Sequence, residues 1–200
     1  PNLITDEILE FCAASPKFQH HFHIPLQSGS DRILGLMRRR YTSAKFADRI
    51  EKVRSLMPDA FIGIDVITGF PGETEEDFQQ TYDLLARLKP SFLHIFPFSE
   101  RPGTPAVDMP DKVPSYISTQ RVSRLEELCD ELHGEFCAKG VGEESEVLFE
   151  STMRGGMMYG YTGNYIRVKA PYDRSVINKI CRVKLLSMDE NHDLLAEVLG

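Results

Sequence analysis

Cysteine is scarce and poorly placed for metal chemistry: Cys12, Cys129, Cys137 and Cys181 are the only four, and they show no paired spacing of the zinc or iron–sulfur kind. Reduced, mostly buried thiols in a cytoplasmic protein are the expectation from that pattern. No run of about 18 apolar residues occurs, and no cationic segment leads into an apolar one near the start, which argues against a membrane span and a secretory leader. Repeats and low-complexity stretches are also missing. The first residue is Pro1 rather than Met, as in a piece trimmed from something longer. Positive charge is in short supply, with a net charge of −7 that by itself argues against nucleic acid. The distribution is uneven, however. From Ser151 to Met188 seven basic residues (Arg154, Arg167, Lys169, Arg174, Lys179, Arg182, Lys184) stand against one acid, Asp173, so this segment is locally basic.

What is present suits a globular chain of one large domain or two unequal ones, with 200 residues, 42% hydrophobic and 26% charged. The organising stretch is Gly63 to Thr74, Gly-Ile-Asp-Val-Ile-Thr-Gly-Phe-Pro-Gly-Glu-Thr. Ile62, Ile64 and Val66 alternate with Gly63, Asp65 and Ile67, which predicts a strand with aliphatics on one face and Asp65 on the other. Gly69, Pro71 and Gly72 then break the strand, and Thr74 with Asp77 forms a cap for a following helix. A strand, a glycine loop and a helix N-terminus together place backbone amides where α/β folds keep ligands. A tight connection with no ligand is the alternative.

The same unit recurs on either side. Thr5 starts a first helix, bounded by Pro16; His21 to Gln27 alternates Phe22, Ile24 and Leu26 as a strand; Ser30 caps a helix beginning at Asp31. Thr42 or Ser43 starts another helix with Phe46, Ile50, Val53 and Met57 as its apolar stripe, and Pro58 closes it. Phe78, Leu84, Leu85 and Leu88 mark the helix after Thr74, which ends at Lys89-Pro90. Phe92 to Phe96 reads as a third strand. Three such units in a row favour a parallel sheet with right-handed crossovers. Residues 114–139 read as one long helix with Val122, Leu125, Cys129, Leu132 and Phe136 on a face, stopped by Gly140 and Gly142. Short alternating runs at Val147/Phe149, Ile166/Val168 and Cys181/Val183/Leu185, separated by Gly and Asn turns, then suggest a small β-barrel. The fold class is thus an α/β partial barrel followed by a small all-β barrel, with domains over 1–139 and 140–200.

Three polar groups are candidates for one site. Gln27 ends its strand, Asp65 lies within the next, and Arg39 follows the first strand on a helical segment; an amide, a carboxylate and a guanidinium suit a polar zwitterion bearing hydroxyls. Asp65 paired with a neighbouring arginine merely to satisfy a barrel interior is the competing reading. In the C-terminal part, Arg167 and Lys169 share one strand face, Arg182 and Lys184 another, and Tyr159, Tyr161 and Tyr165 offer stacking surfaces for single-stranded bases. Cations kept outside a barrel for solubility would look the same. His20, His21, His23 and His94 have no carboxylate or cysteine at ligand spacing, so core or rim histidines are expected and no metal site.

Three runs carry a family resemblance: His23-Ile24-Pro25-Leu26-Gln27-Ser28-Gly29-Ser30 with Met37-Arg38-Arg39-Arg40-Tyr41-Thr42, the run Asp65 to Thr74, and His94-Ile95-Phe96-Pro97-Phe98-Ser99-Glu100-Arg101-Pro102-Gly103-Thr104-Pro105-Ala106. Their order and spacing resemble the radical S-adenosylmethionine methylthiotransferases, most nearly the branch acting on tRNA threonylcarbamoyladenosine. The resemblance implies the last three strands of a (βα)6 barrel, then a five-stranded TRAM domain that contacts RNA. It implies attachment of a methylthio group to C2 of an adenosine beside the tRNA anticodon. Gln27, Arg39 and Asp65 become implied S-adenosylmethionine contacts, with Ser28 nearby and Phe96 and Pro97 near the adenine. Arg154, Tyr165, Arg167, Lys169, Arg182 and Lys184 become implied RNA contacts. Such enzymes hold a [4Fe–4S] cluster on a Cys-x3-Cys-x2-Cys site whose electron cleaves S-adenosylmethionine, and a second cysteine set in an N-terminal domain; this chain has neither, so alone it is expected to be inert. The sister branch acting on a ribosomal protein and a non-catalytic RNA-binding module are the alternatives. Missing strands would leave an open sheet edge that invites dimerisation.

Overall fold

The computed structural model describes residues 1–199, and by their contacts these form two units: Pro1–Ser15 with Phe22–Leu132, and Pro16–His21 with residues 133–199. No helix among the described residues is long and apolar enough to cross a membrane.

In the first unit the chain runs α1 (Asp6–Ala14), β1 (His21–Gln27), α2 (Asp31–Leu36), α3 (Ser43–Leu56), β2 (Phe61–Thr68), α4 (Glu75–Leu88), β3 (Phe92–Pro97) and α5 (Ser115–Ala138), with the division between units falling inside α5. Short polar side chains start four of these helices. Thr5, Ser30, Thr42 and Thr74 accept from the backbone N–H of Ile8, Ile33, Lys45 and Asp77, and Thr74 with Asp77 closes a full capping box. Each such cap stabilises its helix by about 1 kcal/mol. The strands form one sheet in the order β1-β2-β3, and β2 and β3 are parallel with Asp65 opposite His94.

Alternation divides this sheet into two unlike faces. Ile24, Leu26, Ile62, Ile64, Val66 and Leu93 are buried on one, in a core completed by Phe46, Ile50 and Val53 of α3 and Phe78, Leu85 and Leu88 of α4. α5 reaches the same sheet through Cys129, whose Sγ accepts from Leu93 N–H at 3.2 Å. The other face carries His23, Gln27, Gly63, Asp65, His94 and Phe96, and is polar and partly open. The face of α5 expected from the sequence is nearly right, but Leu128 and Arg121 are buried with Leu125, Cys129 and Leu132, whereas Val122 is half-exposed.

The second unit is a closed five-stranded barrel of β4 (Glu144–Arg154), β5 (Met157–Thr162), β6 (Arg167–Pro171), β7 (Ile180–Met188) and β8 (Leu194–Val198), in the order β4-β5-β6-β8-β7 with β7 returning to β4. Val147, Phe149, Met158, Val168, Val183, Leu185, Leu194 and Ala196 fill it. A Cβ on Gly160 would sit 2.4 Å from the Leu148 carbonyl oxygen, so the close approach of β5 to β4 requires glycine there. Residue 200, the last of the range expected for this barrel, lies outside the described residues.

Candidate functional site

Gln27 ends β1 in the left-handed region, at φ 71°, which few residues with a side chain adopt. The turn lays Ser28-Gly29-Ser30 against α4. Gly29 N–H donates to Thr81 Oγ1 at 2.9 Å, and a Cβ on Gly29 would lie 2.6 Å from Thr81 Cα, so glycine alone permits this approach. Ser30 Oγ donates to Asp77 Oδ1 at 2.6 Å, and Arg32 reaches the same carboxylate. Burial pushes the Asp77 carboxyl up, but Arg32, Ser30 and the Thr74 amide outweigh it and hold the group well below the usual carboxylate range.

α2 then closes with paired bonds, Arg39 N–H to Leu34 O and Arg38 N–H to Gly35 O, both 2.9 Å, with Arg38 left-handed at φ 56°. This reversal sends Arg39 back to the end of β1, where its Nη2 donates to Gln27 Oε1 at 3.2 Å. Tyr41 OH donates to Leu26 O at 2.9 Å and holds the returning segment in place.

Asp65 lies on the same sheet face, since His23 and Gln27 share parity in β1 and His23 Nε2 is in hydrogen-bond contact with Asp65 Oδ1. The His23 ring stacks on His94 with centroids 4.5 Å apart. Burial lowers the His94 pKa, with the neighbouring His23 acting in the same direction and Asp65 opposing. Of the three groups expected to converge, Gln27 and Arg39 touch, while Asp65 is engaged by a histidine rather than an arginine. The expectation that no carboxylate joins these histidines is overturned, because the acid comes from the neighbouring strand. Ser28 is fully buried, its hydroxyl accepting from Ser30 N–H at 3.2 Å and lying 3.4 Å from Thr81 Oγ1. Phe96 and Pro97 are exposed at the end of β3.

The glycine loop after β2 has its amides in use within the fold. Gly69 N–H donates to Glu73 Oε2 at 2.7 Å, Gly72 N–H to Asp111 O at 2.8 Å, Glu73 N–H to Phe70 O at 2.9 Å and Thr74 N–H to Asp77 Oδ2 at 2.9 Å. Of the two readings of this turn, these bonds favour the tight connection over a ligand held on the loop amides.

On the barrel, the basic residues face acids that lie outside the basic segment. Arg182 Nη2 meets Glu144 at 2.7 Å, Arg167 Nη1 is 3.6 Å from Asp193, and Lys169 pairs with Asp189. Lys184 stands in register with Glu144 on one side and Glu197 on the other. Arg154 is exposed at the end of β4. The tyrosines form a surface of their own: Tyr161 and Tyr165 stack at 4.7 Å, His21 packs on Tyr165 at 4.4 Å, and the Arg167 guanidinium lies 4.7 Å over the Tyr159 ring. Tyr165 is 49% exposed.

Residues 1–85 match the family model of the Radical SAM superfamily. Threonylcarbamoyladenosine tRNA methylthiotransferase MtaB of Bacillus subtilis is 43% identical over 187 residues, which cover 92% of this chain and 42% of that protein. The tRNA-2-methylthio-N(6)-dimethylallyladenosine synthase of Mycobacteroides abscessus is 48% identical over 148 residues, 74% of this chain and 29% of its own. Over most of its length the chain is similar to radical SAM methylthiotransferases. It spans less than half the length of these relatives. Among solved structures, coproporphyrinogen III oxidase from Escherichia coli, described as a radical SAM enzyme, covers 93% of this chain and 44% of its own at a TM-score of 0.55 and 16% identity, a likeness of fold alone.

The radical SAM family implies S-adenosylmethionine and an iron–sulfur cluster. The polar groups at the end of β1 fit the first: a guanidinium and an amide already in contact beside an open sheet face. The cysteines of this chain do not fit the second. Cys12, Cys129 and Cys137 are free and buried; burial, with Asp193 adding to it, pushes the Cys137 thiol up to about 12, opposite to what a thiolate ligand needs.

Proposed function

We propose that this chain is part of an enzyme that attaches a methylthio group to C2 of threonylcarbamoyladenosine in tRNA, using S-adenosylmethionine and [4Fe–4S] clusters whose ligands lie elsewhere in the longer protein. The observation that carries this reading is 43% identity to a threonylcarbamoyladenosine tRNA methylthiotransferase over an alignment that covers 92% of the chain. In this reading residues 1–139 are the last three strands and the linking helix of a radical SAM barrel, and 140–200 a TRAM-type barrel.

Arg39 takes the carboxylate of S-adenosylmethionine, and Gln27 and Asp65 take its hydroxyls. Ser28 fixes the loop beside them, and Phe96 and Pro97 border the adenine. The chain's own work is to bind and orient; the cluster, when bound, supplies the electron that cleaves the cofactor. The segment alone is inert, and the protein works in the cytoplasm, where its tRNA is. Tyr165, supported by Tyr161, stacks on a base, and Arg154, Arg167, Lys169, Arg182 and Lys184 meet phosphates. The open edges of β1 and β3 admit a second copy of the segment when the rest of the barrel is missing.

The test is mass spectrometry of nucleosides from tRNA of cells lacking the gene. Loss of 2-methylthio-threonylcarbamoyladenosine with retention of the dimethylallyl derivative supports the reading. Loss of the dimethylallyl derivative instead moves the substrate to that of the relatives named for it, and an unchanged profile removes tRNA methylthiolation altogether.

A further inference from the structure

We propose that His23, Asp65 and His94 form a binding site for a zinc-type divalent cation on the polar face of the three-stranded sheet. One residue comes from each strand, and a ligand atom of each lies within 4.8 Å of the other two. The backbone sets this up: Asp65 and His94 occupy facing positions of β2 and β3, and His23 Nε2 contacts Asp65 Oδ1 from β1. A tetrahedral site with ligand bonds of about 2.0–2.2 Å needs its donor atoms roughly 3.3–3.6 Å apart, so the His23–Asp65 contact opens and the wider separations, all under 4.8 Å, close by small side-chain shifts. Gly63 leaves room for it, since a Cβ there would stand 3.3 Å from His94 Nε2.

A plain ion pair uses only His23 and Asp65, whereas the β2–β3 register and the His23–His94 stack bring a third donor to the same carboxylate. Two imidazoles and one carboxylate form the mixed nitrogen and oxygen set that zinc accepts, with a fourth position left for water. The His23 side chain is 47% exposed, which gives the ion a path from solvent. The site shares Asp65 with the proposed cofactor contacts, so it is tested without cofactor.

The experiment uses the 200-residue chain stripped with chelator, without S-adenosylmethionine. Zn2+ is titrated calorimetrically, and Co2+ is followed by its visible absorption. One equivalent is expected, with affinity at least tenfold lower in His23→Gln, Asp65→Asn and His94→Gln, and unchanged in His133→Gln/His192→Gln, which removes imidazoles of the other unit. Zn2+ is also expected to raise the melting temperature of the unsubstituted chain, a readout that holds even if a variant does not fold. No binding at millimolar ion, affinity in the three variants equal to that of the unsubstituted chain, or loss only in the His133/His192 variant overturns the site. Because no cofactor is present, failure here leaves the cofactor reading intact, and failure of cofactor binding leaves a measured metal site intact.

Discussion

Arg121 Nη1 and Glu73 Oε2 meet at 2.7 Å with side chains only 5% and 1% exposed. A helix that sequence periodicity assigns to aliphatic packing thus carries a buried cation, and it holds the carboxylate that in turn accepts from Gly69 N–H. Glu73 ties the glycine loop to α5. Burial raises its pKa, with Gly69 and Arg121 opposing.

The first prediction concerns this pair. Arg121→Met strands Glu73 without its guanidinium and should destabilise the chain by about 3–5 kcal/mol, whereas the double variant with Glu73→Gln should recover part of the loss. A carboxyl whose folded pKa is raised contributes stability that is fully present below its ordinary value of 4.5 and is lost as pH rises through the folded value. Denaturation of Arg121→Met should therefore show a smaller deficit under mild acid than at neutral pH. A deficit independent of pH, with no recovery in the double variant, would refute the coupling.

Local features of this fold were legible in the sequence, and long-range ones were not. Thr5, Ser30, Thr42 and Thr74 announce their helices because a cap acts within three residues. The strand at Ile62 to Val66 and the stripe of α3 follow from periodicity alone. The contact of Asp65 with His23 depends on which strand lies beside which, and 42 residues separate the two; the parity shared by His23 and Gln27 was the available clue. Arg121 was missed because a cation on a helix reads as solvated unless its acidic partner is known. In the barrel, β5 and β8 escaped the strand reading because β5, though bounded by Gly155-Gly156 and Gly163-Asn164, alternates Met158 and Gly160 with tyrosines rather than aliphatics with polar residues, and β8 is only the short run Leu194–Val198. Counting charge over Ser151 to Met188 also left out Glu144, Asp189 and Asp193, the acids that face the basic residues in space.

Asp77 gathers Ser30, Arg32 and the Thr74 amide, so it joins the loop after β1 to the start of α4. Asp77→Asn should cost about 1.5–3 kcal/mol, the range for hydrogen bonds to a charged group. Its folded pKa is depressed, so the stability it contributes is present above its ordinary 3.8 and is lost as pH falls through the folded value. Acid unfolding followed by circular dichroism should be shallower below about pH 4 for Asp77→Asn. An identical acid limb in both proteins would show that the carboxylate bonds contribute nothing to stability.

The contact between Arg39 and Gln27 bears on the proposed division of labour in the longer protein. If Arg39 holds the cofactor carboxylate as proposed, Arg39→Ala should weaken S-adenosylmethionine binding at least tenfold, about 1.4 kcal/mol or more. Affinity for tRNA should stay the same. Calorimetry with cofactor and filter binding with tRNA separate the two. Cofactor affinity equal to that of the parent would reduce Arg39 to a strut for Gln27.

The barrel's cations are partly neutralised in place, and this sharpens the test of RNA binding. Arg167 and Lys169 lie beside Asp193 and Asp189, so a phosphate must compete with a carboxylate for each. If the two cations meet phosphates, Arg167→Glu/Lys169→Glu should weaken tRNA binding strongly and reduce the dependence of log affinity on log salt by about 2, near one unit per lost contact. Tyr165→Ala should instead weaken binding by about 1–3 kcal/mol with the salt slope unchanged, because stacking releases no counterions. Asp189→Asn supplies the opposite sign: freeing Lys169 from its partner should tighten tRNA binding and steepen the slope. If all three variants bind tRNA as the parent does across a salt series, the barrel's role is in its fold, and RNA contact lies elsewhere in the protein.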